Sequence, residues 1–142
     1  MNSVADTAGF VVVYPEPIQA GSNSGIIHKP TPDVDDVGFI IELIDTVYAR
    51  YNIDMTRIYC YGFSNGGHMT QRHAYWAGLR FAAFGSICGT MTDSTAVHPP
   101  AFNRSVPFLI LNGTVDTFVP WDGGTPGMYA VEQMLNFWVQ NK

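Results

Sequence analysis

Residues 62–66, Gly-Phe-Ser-Asn-Gly, constrain the fold of this chain more than any other stretch. They fit the pattern Gly-x-Ser-x-Gly, in which the serine lies on a sharp, strained turn between a strand and a helix. Glycines two residues before and after Ser64 lack the Cβ atoms that would clash where strand and helix cross closely. Residues 57–61 are rich in strand formers, and residues 69–79 have a helical pattern. The sequence therefore predicts a strand–turn–helix unit that points the Ser64 hydroxyl into a cleft.

The rest of the chain has the pattern of alternating strands and helices. Continuous apolar runs, which are typical of strands buried on both faces of a parallel sheet, cover residues 9–14, 80–88 and 106–112. Helical patterns cover residues 35–51 and 128–140, and residues 1–8 resemble the end of a helix. This order predicts a single α/β domain over residues 1–142, with a mostly parallel sheet of about four strands flanked by helices on both faces.

The composition argues against several classes of protein. The net charge of −5 and the lack of a lysine or arginine cluster argue against a nucleic-acid partner. No apolar run approaches the ~20 residues of a membrane span, and no basic residue precedes an apolar core at the N-terminus, so no signal peptide is visible. Cys60 and Cys88 lie in apolar stretches, which favours buried thiols, with a disulfide as the alternative. Their spacing gives no metal motif, and we expect neither a metal nor a cofactor.

Three long loops are predicted at the carboxyl ends of the strands, where open α/β sheets bind ligands. They cover residues 16–33, 89–105 and 113–126. Ser64 and Asp116 both lie at this rim of the sheet. In α/β-hydrolases the acid follows the nucleophilic serine along the chain, and the histidine comes last. Asp116 is therefore a candidate for orienting a histidine, with an ordinary turn aspartate as the alternative.

Six blocks of sequence resemble, in the same order, the polyhydroxybutyrate-depolymerase-like esterases, a group that includes feruloyl and acetylxylan esterases. The blocks are residues 9–16, 35–40, 54–57, 62–67, 81–84 and 112–120. The resemblance implies a secreted α/β-hydrolase that cleaves aryl, short acyl or polyester bonds. It implies Ser64 as the nucleophile, Asp116 as the triad acid and the backbone amide of Asn65 as an oxyanion donor. Trp121 would form a platform for the acyl or aromatic group, or else a partly buried turn anchor.

The chain departs from that family at both ends, so we interpret it as a truncated α/β-hydrolase core. The family has a central strand ending in His-Gly, followed by a loop that supplies the second oxyanion donor, and this strand is absent here. The family's catalytic histidine lies one strand beyond the acid, whereas this sequence ends at Lys142. The alternative to an esterase is therefore a folded but catalytically impaired hydrolase fragment or binding module.

Four histidines are available as the base. His98 is the first choice, because its loop follows the strand next to the serine strand. His28, on another rim loop, or a histidine of a second subunit comes next. His68, one turn into the helix after Ser64, is predicted to be a packed helix residue, and His73 is predicted to be a surface residue.

Two apolar surfaces would lose their cover without the segments that the family has in addition. One is the edge of the predicted strand at residues 9–14, which is long and uncharged. The other is the face of the last helix that carries Val131, Met134, Leu135 and Trp138. Because large exposed apolar patches mark interfaces, we expect a homodimer with one of these surfaces at its centre.

Overall fold

Three strands and four α-helices make up the fold in the part of the chain that the structure describes. A computed structural model gives the positions of residues 2–17, 24, 34–96 and 105–141. The elements in chain order are α1 (Asn2–Ala8), α2 (Asp36–Arg50), β1 (Tyr59–Phe63), α3 (Asn65–Ala77) with a 3₁₀ turn at Gly78–Arg80, β2 (Ala83–Ile87), β3 (Phe108–Leu111) and α4 (Val131–Gln140). None of the described helices has the length and hydropathy needed to cross a membrane.

The sheet has the strand order β1–β2–β3, and both neighbouring pairs are parallel. Tyr59 of β1 pairs with Ala83 of β2, and Phe84 of β2 pairs with Phe108 of β3. Because parallel strands need a crossover connection, α3 carries the chain back from the end of β1 to the start of β2. The carboxyl ends of all three strands therefore lie at one edge of the sheet, and the predicted α/β fold with a parallel sheet is confirmed.

The helices α2, α3 and α4 pack together on one face of the sheet. Two clusters of buried side chains lie between these elements. The first consists of Ala74, Phe81 and Phe84, with apolar residues of α2 packed against it. The second consists of Tyr75, Met91, Val131 and Met134. Full burial of a large apolar side chain contributes about 1.5–3 kcal/mol, so these clusters hold α3, and the turn that precedes it, firmly against the sheet.

The opposite face of the sheet carries apolar side chains that are exposed. Phe63 at the end of β1 is 68% exposed, and Leu111 at the end of β3 is 50% exposed. The exposed residues on this face are Tyr59, Tyr61, Phe63, Leu109 and Leu111. Strands of parallel sheets are normally buried on both faces. We therefore call these five residues the open face and treat it as a candidate interface.

The predicted strand at residues 9–14 is wrong. Gly9 follows α1 with a φ of 70°, and the N–H groups of Gly9 and Phe10 both donate to the Ala5 carbonyl oxygen. The residues that follow are not in the sheet, and Val11 is 52% exposed. An apolar run indicates that a segment tends to be buried, but a strand also needs a partner edge. In the described structure this segment is instead tied to the end of α1.

The apolar face of α4 is mostly buried, which contradicts the expectation that it is bare. Val131 and Met134 are 1% and 0% exposed. Trp138 Nε1 donates to Gln71 Oε1 at 2.7 Å, which ties α4 to α3. Leu135, at 39%, is the most exposed residue of the predicted face. The expectation failed because Tyr75 of α3, Met91 after β2 and Ile110 of β3 pack in the same cluster as Val131 and Met134.

Candidate active site

Ser64 occupies the turn between β1 and α3, which we call the elbow, in a strained backbone conformation. Its φ is 54° and its ψ is −116°, a combination that residues with a side chain rarely adopt. The Ser64 N–H donates to the Ile87 carbonyl oxygen of β2 at 2.8 Å, and the Ser64 carbonyl oxygen accepts from the His68 N–H at 3.1 Å. The predicted strand–turn–helix unit is therefore present, and bonds to the sheet and the helix hold the serine in place.

The Ser64 hydroxyl is not used to cap the helix. A serine at the N-cap normally accepts a hydrogen bond from the N–H group two or three residues later, but the Ser64 side chain makes no capping hydrogen bond. The residue is exposed. Its hydroxyl is thus presented to solvent at the N-terminus of α3, where the helix dipole stabilises negative charge.

The glycines in and near the elbow differ in how closely they are packed. A Cβ atom on Gly62 would lie 2.2 Å from the Gly66 carbonyl oxygen. A Cβ atom on Gly67 would lie 2.9 Å from a β2 carbonyl oxygen, and one on Gly89 would lie 2.5 Å from the Gly67 carbonyl carbon. Gly66, by contrast, has nothing outside its own helix within 4 Å of its Cβ position. Close packing of α3 on β1 requires Gly62, and its close packing on the end of β2 and the residues after it requires Gly67 and Gly89. Packing among the described residues does not require Gly66.

Asn65 is the first residue of α3, and its side chain is held by a residue that sequence analysis missed. The N–H groups of a first helical turn have no acceptor within the helix, which makes the Asn65 amide a candidate oxyanion donor. Ser24 Oγ donates to Asn65 Oδ1 at 2.5 Å, and Ser24 is 1% exposed. Ser24 stands in a stretch rich in Gly, Pro, Ser and Asn. No motif distinguishes it from the other serines there.

Asp116 follows β3 and accepts hydrogen bonds from its own loop. Its Oδ1 accepts from the N–H groups of Phe118 at 2.8 Å and Val119 at 3.0 Å. The N–H of Val119, then that of Phe118, lower the pKa of Asp116 below its usual value, and the Cys88 thiol contributes in the same direction. An ionised carboxylate can stabilise a histidinium. The same hydrogen bonds are also those of a turn aspartate, so the local geometry fits both interpretations.

Strand β2 separates the elbow from Asp116. Neighbouring strands lie ~4.8 Å apart, so residues at the ends of β1 and β3 are about 10 Å apart. This distance leaves room above β2 for an imidazole ring that makes a hydrogen bond at each end. Cys88 follows β2 in this gap, and its N–H donates to the Leu111 carbonyl oxygen at 2.8 Å. Cys88 has a φ of 50° and, with Ser64, is one of two non-glycine residues with positive φ in the described ranges. Strain therefore concentrates at this rim of the sheet.

The two described histidines lie inside the helical layer. His68 is 1% exposed, with Nδ1 2.7 Å from the Thr90 carbonyl oxygen, and His73 is 3% exposed, with Nδ1 2.8 Å from the Met69 carbonyl oxygen. Burial lowers the pKa of both rings, so we expect them to be neutral at neutral pH. The prediction that His68 is a packed helix residue is confirmed. The prediction that His73 is a surface residue is wrong, because Phe81 and the start of α2 cover it.

The preferred candidates for the base lie elsewhere. His98 and His28 are both outside the described residues, so their positions stay predictions. Because the imidazoles of α3 are buried and bonded to backbone carbonyl groups, neither is placed as a base for Ser64 in this conformation. His98, His28 and a histidine of a second subunit therefore stay the predicted candidates for the base.

Trp121 anchors the turn before α4. Its carbonyl oxygen accepts from the Val131 N–H at 2.9 Å, and its half-buried side chain packs against the cluster that contains Met134. These contacts match the interpretation of Trp121 as a turn anchor. Its role as a platform for substrate stays a prediction.

The two cysteines are free thiols, so the disulfide alternative is not observed. Burial raises the pKa of Cys60 to about 11, and a contact with the Thr70 hydroxyl, 3.9 Å from the sulfur, opposes this shift only in part. Cys60 is therefore protonated at neutral pH and acts as a packing residue.

Comparison with known proteins gives three informative similarities. The chain is 32% identical over 133 residues to NocK of Nocardia uniformis subsp. tsuyamanensis, a protein named as an esterase, and the match covers 87% of this chain and 36% of that protein. It is 31% identical over 114 residues to the bifunctional acetylxylan esterase/xylanase XynS20E of Neocallimastix patriciarum, covering 80% of this chain and 16% of that protein. It is 30% identical over 93 residues to acetylxylan esterase A of Emericella nidulans, covering 59% of this chain and 31% of that protein. No protein-family model matches the chain.

The chain thus spans about a third, or less, of the length of these relatives. Their names agree with the esterase part of the predicted resemblance, and none of the three names a polyhydroxybutyrate depolymerase or a feruloyl esterase. The elbow, the parallel sheet and these similarities lead to one conclusion about relationship: the chain is similar, over most of its length, to proteins named as esterases.

Proposed function

We propose that this chain is a serine carboxylesterase in which Ser64 attacks the ester. The observation that carries the proposal is the conformation of Ser64, which is strained, exposed and not engaged in a helix cap. Strain of this kind costs ~1–3 kcal/mol and persists only where the surrounding structure enforces it. A serine that served only to cap α3 would adopt a relaxed conformation, so an exposed nucleophile is the better explanation.

The proposed reaction passes through an acyl-enzyme. Ser64 Oγ forms a bond to the ester carbonyl carbon while a base takes the serine proton. The Asn65 N–H and the N-terminus of α3 stabilise the negative charge that develops on the carbonyl oxygen. The bond to the leaving alcohol breaks, and the alcohol takes the proton from the base. Water, deprotonated by the same base, then releases the acid and restores the serine.

Asp116 is the proposed acid that orients the base. Its lowered pKa favours the carboxylate that this role needs. His98 is the proposed base, with His28 or a histidine of a second subunit as the next choices. The assignment of His98 agrees with the gap above β2, since residue 98 belongs to the connection between β2 and β3.

Short acyl esters are the proposed substrates, with acetyl esters first, because two of the similar proteins are named acetylxylan esterases. Aryl esters and polyesters of the polyhydroxyalkanoate, feruloyl or aromatic type are the further candidates from the family resemblance. Trp121 is proposed to contact the acyl or aromatic group. Secretion of the protein is likewise a proposal from that resemblance.

A fluorophosphonate probe, combined with hydrolysis of p-nitrophenyl acetate, tests the proposal. We expect the wild-type protein to be labelled at residue 64 and to hydrolyse the ester. The variant Ser64→Ala should lose both properties at an unchanged melting temperature, whereas Ser105→Ala, which alters an exposed serine elsewhere, is the matched control. Hydrolysis that survives in Ser64→Ala would contradict the proposal. A comparison of His98→Ala with His28→Ala then identifies the base.

The alternative is a folded hydrolase core with impaired catalysis. The observation that favours it is the burial of both described histidines away from a catalytic role. A protein that shows a cooperative thermal transition but is not labelled at Ser64 would establish this alternative.

A further inference from the structure

We propose that Ser24 is a positioning residue that keeps the Asn65 carboxamide away from the backbone amides of the oxyanion site. The proposal rests on the proposed esterase function and adds a residue to it. Ser24 lies 41 residues before Asn65 in the chain. Neither the serine motif nor the six family-like blocks include it.

The contact between Ser24 and Asn65 is partly buried, with Ser24 at its buried end. The Ser24 hydroxyl donates to Asn65 Oδ1 at 2.5 Å, and Ser24 is 1% exposed. Buried hydroxyl groups are almost always hydrogen-bonded, so this side chain has a fixed orientation. It directs its proton at one atom, the carboxamide oxygen of the residue that follows the nucleophile.

That oxygen is a competitor for the oxyanion site. Asparagine side chains readily accept hydrogen bonds from nearby backbone N–H groups. Asn65 is the first residue of α3, beside the N–H groups that have no acceptor within the helix. These are the donors that the proposed mechanism assigns to the ester carbonyl oxygen. By engaging Oδ1, Ser24 keeps this acceptor from competing for those donors.

The effect belongs to the chemical step more than to substrate binding. Negative charge on the carbonyl oxygen develops in the transition state, so a competitor for the donors lowers kcat and leaves KM nearly unchanged. Loss of a complete oxyanion donor costs about 100- to 1000-fold in rate. Competition from a neighbouring carboxamide withdraws a donor for only part of the time, and we expect about a tenfold decrease in kcat.

The experiment measures kcat and KM for p-nitrophenyl acetate in two backgrounds. Ser24→Ala and Ser24→Cys are each made in the wild-type protein and in the Asn65→Ala protein. Ser24→Cys has nearly the size of serine but only a weak donor, so it tests the hydrogen bond even where alanine disturbs the fold. We expect about a tenfold fall in kcat from Ser24→Ala when Asn65 is present. We expect less than a twofold change, ~0.4 kcal/mol, when residue 65 is already alanine, because the competing oxygen is gone.

A purely structural role for Ser24 predicts the opposite pattern. Both backgrounds would then lose activity equally, together with a lower melting temperature. Equal losses in the two backgrounds, or no loss in either, overturn the proposal. If the wild-type protein neither hydrolyses the ester nor is labelled at Ser64, the esterase function fails and this inference fails with it. That result is seen before any Ser24 variant is made, so the two failures are distinguishable.

Discussion

Replacing each of the two motif glycines by alanine should have opposite effects on stability. The Gly-x-Ser-x-Gly pattern treats Gly62 and Gly66 alike, but the structure does not. A Cβ atom on Gly62 would lie 2.2 Å from the Gly66 carbonyl oxygen and 2.3 Å from its carbonyl carbon. Contacts of this length cannot be relieved by a side-chain rotation, because both atoms belong to the backbone. The strand and helix must separate, and the elbow must move with them.

The magnitudes follow from the two environments. Overpacking a tight site costs ~1–3 kcal/mol or more, and this clash is with the backbone, so we expect Gly62→Ala to lower the free energy of unfolding by about 3 kcal/mol. For a chain of this size, that corresponds to a fall of about 6–12 °C in melting temperature. Gly66 lies in α3 with no atom outside its helix near its Cβ position. Alanine has the higher helix propensity, so Gly66→Ala should raise stability by about 0.5 kcal/mol.

Urea denaturation followed by circular dichroism measures both variants on the same scale. Each variant is the control for the other, because both add one methyl group to the same motif four residues apart. Fluorophosphonate labelling of Gly62→Ala should also decrease, since the displaced elbow no longer presents Ser64. If Gly66→Ala destabilised the protein as much as Gly62→Ala, the packing argument for the elbow would be refuted.

Two further predictions concern the acid and the assembly. Asp116→Asn should keep the fold, because an amide oxygen can still accept hydrogen bonds from the N–H groups of Phe118 and Val119. It should lower kcat by a factor of about 10⁴. An unchanged kcat would mean that Asp116 is only a turn residue. We also expect a homodimer through the open face, so sedimentation at micromolar concentration should give twice the 15.6 kDa chain mass. The variant Tyr61→Lys should be a monomer. A wild-type protein that sediments as a monomer would contradict the dimer prediction.

The elbow is the part of the site that the sequence predicts well. Its signals are local: glycines at fixed spacing around Ser64, strand formers before it and a helical pattern after it. The order of the remaining β and α elements likewise follows from local periodicity. Residue 116 could be assigned to the rim because parallel topology places all carboxyl ends together.

The rest depends on contacts between distant parts of the chain. The apolar run at residues 9–14 has the pattern of a strand, but no local signal reports whether a partner edge is available. His73 looks like a surface residue until α2 is placed beside α3. The bond from Ser24 to Asn65 joins residues 41 positions apart. Cys88 is the last residue of a predicted strand, at the rim that carries Ser64, but its positive φ has no signature in the sequence.

The two buried imidazoles of α3 also affect how a catalytic base could be identified from the pH dependence of the rate. Burial lowers the pKa of His68 and His73 in the folded protein, whereas in the unfolded chain both have the ordinary value of about 6.5. The unfolded chain therefore takes up more protons in mild acid, and the free energy of unfolding falls as the pH drops below that value. The same helix presents Ser64. A loss of turnover in acid would thus combine protonation of the base with unfolding of the protein. A pH–stability curve measured beside the pH–rate curve separates the two effects.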